Sequence, residues 1–229
     1  MNNLLNGVHV LGGKFTNEDS LVNYVVQNIL FFEPQIVIEQ AQSIRQQIEN
    51  KRPIPVRYNS NKHFFKKGQR NTTTSFKSRS QAIQFTKDEN NCIYHKGTDI
   101  RVCFDRDGNY ATKDAIFQST NHWVSGGDKS SIKNYTIAHI WGKTDNPLYF
   151  SLMWNYCLIP TPYAFLTDKN DDSDTIVKQI KDLIKAISIT LYNPNQLMER
   201  EVVDTLPDEV LAKASQLIEN KEIKFIPVK

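Results

Sequence analysis

Apolar residues recur every three or four positions near both ends of the chain, and this spacing predicts helices there. The N-terminal part, residues 1–50, holds two such helices, one after the capping residue Asn17 and one from Pro34 to about residue 50. The C-terminal part, residues 171–229, has the most regular pattern. Its apolar face consists of Ile176, Ile180, Leu183, Ile184, Ile187 and Leu191. A last helix is predicted to start near Leu206.

Short apolar runs replace the helical pattern in the middle of the chain, and they predict strands. The predicted strands cover residues 92–95, 99–104, 134–140 and 156–159. Residues 105–109, rich in Asp, Gly and Asn, predict a turn, and Pro147 predicts the start of a short helix. The order of helices, sheet and helices predicts an α+β fold in a single domain, 1–229, with the sheet and the candidate catalytic unit in residues 91–170.

Basic residues are concentrated in one stretch, although the net charge of the chain is only +3. Residues 51–87 contain ten Lys and Arg and no Asp or Glu, whereas the rest of the chain has 18 basic and 25 acidic residues. Such separation predicts a basic face for a polyanion, so residues 51–90 are expected to contact DNA. The expected DNA-binding residues are Arg57, Lys62, Lys66, Lys67, Gln69, Arg70, Asn71, Lys77 and Arg79.

The sequence composition also indicates the cellular compartment. No apolar run is long enough for a membrane span, and no basic residue precedes the apolar N-terminal stretch as it would in a secretory signal. The three cysteines, Cys92, Cys103 and Cys157, form no CxxC pair. These observations predict a cytoplasmic protein that does not interact with membranes.

Residues 134–170 contain the candidate catalytic and metal-binding residues. His139 ends an apolar strand, Asn155 opens the next strand, and a stretch after Pro160 ends in Leu166-Thr167-Asp168. This pattern resembles the HNH family, also called the ββα-metal or His-Me finger nucleases. The resemblance implies a small ββα-metal unit, embedded in the mixed domain between the N-terminal and C-terminal helices.

The resemblance also implies roles for these residues. His139 would be the catalytic base, and the cofactor would be Mg²⁺ or another divalent cation such as Mn²⁺. Many HNH motifs place a metal ligand directly before the histidine, but this chain has Ala138 there. Two ligand sets therefore remain open: Asp168 binds the metal while Asn155 braces the turn, or Asn155 binds the metal itself. Further candidates are Tyr163, Asn170, Asp145 and His122.

Phosphodiester hydrolysis explains why these residue types would be needed. A neutral imidazole can take a proton from the attacking water, a contribution typically worth about 10²–10⁴-fold in rate. A divalent metal held by hard oxygen ligands can neutralise the charge of the phosphate and of the leaving oxygen.

Chains of this size with a DNA-contacting segment before the motif resemble type II restriction endonucleases. This implies a bacterial or phage protein that cuts double-stranded DNA at a specific sequence as a homodimer. A nonspecific or nicking nuclease is an alternative, and so is a non-catalytic DNA-binding protein that keeps the hairpin as a scaffold. A nuclease of the PD-(D/E)xK type, with carboxylates in residues 92–117, ranks third because no Asp and Glu-x-Lys pair is evident there.

Overall fold

A computed structural model describes residues 17–58, 64–66, 76–88, 91–124, 131–168 and 175–228. The N-terminal elements are helix α1 (Glu18–Val26), strand β1 (Leu30–Phe31) and helix α2 (Pro34–Glu49). The side chain of Asn17 accepts a hydrogen bond from the backbone of Ser20 and so caps α1, while Pro34 occupies the first turn of α2. Both predicted helices are confirmed.

The next elements are β2 (Ile54–Val56), β3 (Phe64–Lys66), α3 (Arg79–Lys87), β4 (Ile93–His95), β5 (Arg101–Phe104) and α4 (Tyr110–Thr120). Strands β4 and β5 confirm the prediction within two residues. Helices α3 and α4 are not predicted by the hydrophobic pattern of the sequence. The carboxylate of Asp105 accepts hydrogen bonds from the backbone N–H groups of Tyr110 and Ala111, which satisfies two free donors at the start of α4.

The remaining elements are β6 (Tyr135–His139), α5 (Pro147–Phe150), β7 (Tyr156–Pro160), α6 (Phe165–Asp168), α7 (Thr175–Tyr192), α8 (Pro194–Met198), α9 (Asp208–Glu219) and β8 (Lys224–Phe225). They confirm the two later strands, the short helix at Pro147 and both C-terminal helices. Within the described ranges, no helix has both the length and the apolarity that crossing a bilayer requires.

Two four-stranded sheets make the fold α+β. The first sheet has the order β6-β7-β1-β8, in which β6, β7 and β1 are antiparallel neighbours and β8 runs parallel to β1. The second sheet has the order β2-β5-β4-β3, with β2 and β5 parallel and the other pairs antiparallel. Flanking helices from both ends of the chain complete the mixed architecture.

The β6–β7 hairpin separates two hydrophobic clusters. Side chains alternate across a strand, so Ile137 and its cross-strand partner Leu158 pack in the cluster that also contains the second sheet. Ala138, Cys157 and Ile159 pack in the other cluster, together with α1 and α7. This alternation fixes the register, because a slip of one residue would exchange the two faces.

Candidate functional site

His139 is the last residue of β6 and lies opposite Tyr156 on β7. Its ring stacks on Phe150, with centroids 5.5 Å apart and an interplanar angle of 6°, and it meets the ring of Tyr156 edge-on at 5.1 Å. Tyr156 belongs to the cluster that contains the second sheet. The imidazole therefore lies on that face of the hairpin.

The surroundings of His139 keep its imidazole neutral. Burial, helped by the positive charge of Arg57, lowers the pKa of His139 from 6.5 to about 3. The residue as a whole is half-buried, but its Nε2 atom is enclosed and has no hydrogen-bond partner within the described chain. A buried polar atom normally has a partner, so Nε2 marks a position for a water molecule or a ligand group.

Arg57 connects β2 to the segment that follows β6. Its backbone N–H donates to the carbonyl of Thr144 over 2.9 Å. Its guanidinium donates to the carbonyl of Gly108 over 2.9 Å and to the side chain of Asn109. These bonds hold a positive charge near His139.

Asn155 braces the loop that follows His139. Its side chain is fully buried; Oδ1 accepts a hydrogen bond of 2.8 Å from the backbone of Trp141, and Nδ2 donates over 2.7 Å to the carbonyl of Tyr149. The backbone carbonyl of Asn155 also accepts from the N–H of Ile140 over 2.9 Å. This geometry supports the bracing role of Asn155 over the role of metal ligand.

Asp168 lies on α6, and α6 covers the other face of the hairpin. Leu166 of this helix packs in the cluster that contains Cys157 and Ile159, not in the cluster that contains Tyr156. The side chain of Asp168 lies outside the description. The backbone thus brings His139 and Asn155 together. Leu166 of α6 packs on the other face of the hairpin, and Thr167 of the same helix lines a cavity together with His139.

The described residues around His139 do not fit a divalent cation by themselves. The carbonyl oxygen of Asn155 is already used in the loop, and the nearby charge on Arg57 has the same sign as a metal ion. Within the described ranges, no three His, Cys, Asp or Glu side chains are grouped as metal ligands would be. No metal-dependent step is therefore assigned to these residues.

The other candidates lie elsewhere or outside the description. Tyr163 packs edge-on against Tyr24, with centroids 6.1 Å apart. His122 is buried, and its Nδ1 lies 3.1 Å from the hydroxyl of Ser131. Asn170 lies outside the described residues.

Only part of the predicted DNA-binding set can be placed. Lys62, Lys67, Gln69, Arg70 and Asn71 lie outside the described residues. Lys77 and Arg79 are exposed at the start of α3. Lys66 lies on β3, at an edge of the second sheet, with its ammonium 4.8 Å from the ring centre of Phe85.

Two arginines contact the turn formed by residues 105–109, and a third belongs to it; we call Arg57, Arg79 and Arg106 the arginine cluster. Arg79 donates to the carbonyl of Asp107 over 3.2 Å, and the guanidinium of Arg106 lies 3.8 Å from the ring centre of Tyr110. Gly108 lies between the first two: a Cβ there would be 3.4 Å from Nη2 of Arg79 and 3.8 Å from Nε of Arg57. Sequence reasoning missed Arg106 because it is distant from the basic stretch along the chain.

Comparison with known proteins places the chain in a family. Residues 32–226 match the model of the family described as "Uncharacterised protein PM1201", and the chain belongs to this family. The match covers the second sheet, strands β6, β7 and β8 of the first sheet, and the helices from α2 to α9. No curated protein and no solved structure matches the chain.

Proposed function

We propose that this protein is a DNA endonuclease in which His139 is the general base. The observation that carries the proposal is the neutral imidazole at the end of the β6–β7 hairpin, whose Nε2 has no partner in the described chain. The bracing of the next loop by Asn155 is the second feature that the HNH resemblance implies.

The proposed chemistry uses the neutral form of His139. Nε2 takes the proton of a water molecule whose oxygen bonds to phosphorus, while the bond from phosphorus to the leaving 3′ oxygen breaks. The leaving oxygen takes up a proton from solvent, and the imidazolium returns its proton to solvent. General-base help of this kind is typically worth about 10²–10⁴-fold in rate. Arg57 lies close enough to lower the pKa of His139, so its positive charge can also stabilise a phosphate held there. Since Nε2 is enclosed, substrate binding must admit the attacking water to it.

Double-stranded DNA is the proposed substrate, and the arginine cluster is the proposed contact for its phosphates. Arg79 and Arg106 are exposed, and Arg57 is half-buried, close to Gly108 and close enough to His139 to lower its pKa. We further propose that two copies act together and cut both strands at a short palindrome, because a twofold axis matches such a site. The three cysteines are free thiols, which suits the reducing cytoplasm.

A plasmid cleavage assay tests the proposal. The full chain is incubated with supercoiled DNA in Mg²⁺, in Mn²⁺ and in EDTA, and the products are separated on a gel. We expect discrete fragments from the wild type and a loss of about 10²–10⁴-fold in rate for His139→Ala. His122→Ala is the matched control, since Nε2 of His122 is likewise enclosed and has no hydrogen-bond partner within the described chain.

The pattern of products distinguishes the related activities. Discrete double-strand fragments indicate a sequence-specific enzyme, a smear indicates a nonspecific nuclease, and open circles indicate a nicking enzyme. Equal loss in the His139 and His122 variants would contradict the role of His139 as base.

A non-catalytic DNA-binding protein is the second candidate. The observation that favours it is the enclosure of the His139 ring by Phe150 and Tyr156, which is also how a purely structural histidine packs. DNA binding by the wild type without cleavage under any of the metal conditions would support this candidate.

A further inference from the structure

Strand β6 is an edge strand of the first sheet, and within the described sheets it pairs with β7 alone. The N–H of Ile140, the residue after β6, donates to the carbonyl of Asn155 over 2.9 Å. Backbone groups alternate in direction along an antiparallel strand, so every second residue before Ile140 also faces β7. The N–H and C=O groups of Tyr135, Ile137 and His139 therefore point away from β7.

These outward groups form an open backbone edge. Within the described chain, the N–H groups of Tyr135, Ile137 and His139 have no hydrogen-bond partner, and the carbonyls of Tyr135 and Ile137 have none either. The carbonyl of His139 accepts a hydrogen bond of 3.0 Å from Gly142 and keeps its second lone pair. Backbone donors and acceptors need a partner, so either water or another strand must satisfy this edge.

The other edge strands of the two sheets, β2, β3 and β8, carry features that oppose pairing with another molecule. Strand β2 contains Pro55, β3 contains Lys66 and β8 contains Lys224. Proline, lysine and short length are common protections of edge strands. Strand β6 has five residues, with the sequence Tyr-Thr-Ile-Ala-His, and it contains no proline, lysine or acidic residue. Its edge is therefore unprotected.

We propose that β6 pairs antiparallel with β6 of a second copy of this chain, across a twofold axis at Ile137. In this register Ile137 faces Ile137 of the second copy and Tyr135 faces His139, so every outward N–H meets an outward carbonyl. A shifted register would leave an outward residue beyond the end of the partner strand. The first sheets of the two copies then form one continuous sheet.

The side chains favour a second copy over an unrelated strand. Tyr135, Ile137 and His139 share one face of β6, the face that meets the cluster with the second sheet. The proposed register places two β-branched side chains opposite each other and a tyrosine ring opposite an imidazole, and both kinds of cross-strand pair are favourable. Each copy thus contributes Tyr135 to the surroundings of the other copy's His139.

Sedimentation equilibrium of the full chain, in EDTA and without DNA, tests the pairing. We expect a reversible dimer with a Kd of about 1–100 μM, because one pair of strands is a small interface. A chain that stays monomeric at about 500 μM would overturn the proposal. The interface joins the two copies proposed above, but it rests on the backbone of β6 and not on cleavage. A dimer without nuclease activity would therefore contradict the proposed function alone.

A proline at the centre of β6 tests the location of the interface. Ile137→Pro removes an outward N–H and leaves the hydrogen bonds to β7 in place, so dimerisation should weaken by at least about tenfold. Ile137→Val is the matched control, because it also shortens this side chain but keeps the N–H, and it should dimerise as the wild type does. Equal dimerisation of the two variants would place the interface elsewhere and overturn the proposal.

Cysteine cross-linking tests the register, even if the proline variant fails to fold. Facing Cα atoms in a hydrogen-bonded pair lie about 5.5 Å apart, so two copies of Ile137→Cys should form a disulfide under mild oxidation. The control Thr136→Cys places its thiols on Cα atoms about 8 Å apart, beyond the reach of a disulfide. The wild type, oxidised in parallel, gives the background from its three cysteines. Equal yields from the two variants would contradict the proposed pairing.

Discussion

The Oδ1 atom of Asn155 accepts a hydrogen bond of 2.8 Å from the backbone N–H of Trp141, two residues after His139. Asn155, which directly precedes β7, thus fixes the backbone just after the end of β6. The same side chain also donates to the carbonyl of Tyr149. One buried amide therefore holds two points, Trp141 and Tyr149, of the segment that connects β6 to β7.

Asn155→Ala should destabilise the fold and reduce cleavage together. Two buried hydrogen bonds are lost, which predicts a decrease of about 2–4 kcal/mol in the free energy of unfolding. Urea unfolding and the plasmid assay measure the two effects. Asn195→Ala is the matched control, because Asn195 braces another loop by accepting hydrogen bonds from Val202 and Val203. Its variant should lose stability but keep cleavage measured below the unfolding transition.

Stability should fall at acidic pH because His139 is held neutral. Between pH 6.5 and about 3 the unfolded chain binds a proton at this side chain and the folded chain does not. The unfolded state therefore gains stability as the pH falls, and the free energy of unfolding should decrease by about 1–3 kcal/mol from pH 6.5 to about 4.

Urea unfolding of His139→Phe at several pH values tests this linkage. The variant should lose the part of the pH dependence that His139 supplies. Ile137→Val, on the same strand and face, should be less stable by about 0.5–1.5 kcal/mol at every pH and keep the wild-type slope. A His139→Phe slope equal to that of the wild type would show that folding does not lower the pKa of His139.

Gly108→Ala should disturb the arginine cluster. Gly108 has a φ of +93°, which L side chains rarely adopt, and its Cβ would contact Arg79 at 3.4 Å. We expect a loss of about 1–3 kcal/mol in stability and weaker DNA binding. Gly97→Ala shares the backbone cost, at a φ of +103°, but its Cβ would meet nothing within 4 Å. Equal DNA affinity of the two variants would show that the arginine cluster around this turn does not contribute to DNA binding.

Arg79→Gln should reduce the salt dependence of DNA binding. A lost phosphate contact lowers the slope of log K against log salt by about 0.9. Fluorescence anisotropy with a labelled duplex at several salt concentrations measures this slope. Arg45→Gln is the control, because Arg45 already pairs with Glu199 at 2.6 Å. An unchanged slope for Arg79→Gln would exclude this residue from the interface.

The helices and strands whose hydrophobic pattern lies within a single stretch of the chain could be predicted from the sequence. Helix α7 carries its apolar face at Ile176, Ile180 and Ile184 as expected, and β6 and β7 are where the apolar runs predicted them. The sequence did not predict α4, because the feature that starts this helix is a carboxylate that precedes it by five residues and binds two backbone N–H groups. It also missed β1 and β8, which are two residues long and depend on partners distant in the chain.

The candidate site was only partly predictable for the same reason. The spacing of His139 and Asn155 within one hairpin is local, and the structure brings them together. Arg57 reaches the site through a bond to Thr144, and Arg106 joins Arg79 around a turn, so neither relationship is visible in the order of residues. The face on which α6 packs depends on Leu166 in the tertiary core, which spacing alone does not specify.

Strand β8 is an edge strand of the first sheet. It pairs with β1 through Leu30 and Lys224, and the N–H of Ile226 donates to the carbonyl of Phe31. During synthesis on a ribosome, the second neighbour of β1 therefore does not exist until residues 224–225 have been made, almost two hundred residues after β1 itself. A product terminated shortly before Lys224 would leave the backbone groups of β1 uncovered, and such groups readily recruit a strand from another molecule. Premature termination should thus yield aggregates rather than a slightly shorter native protein.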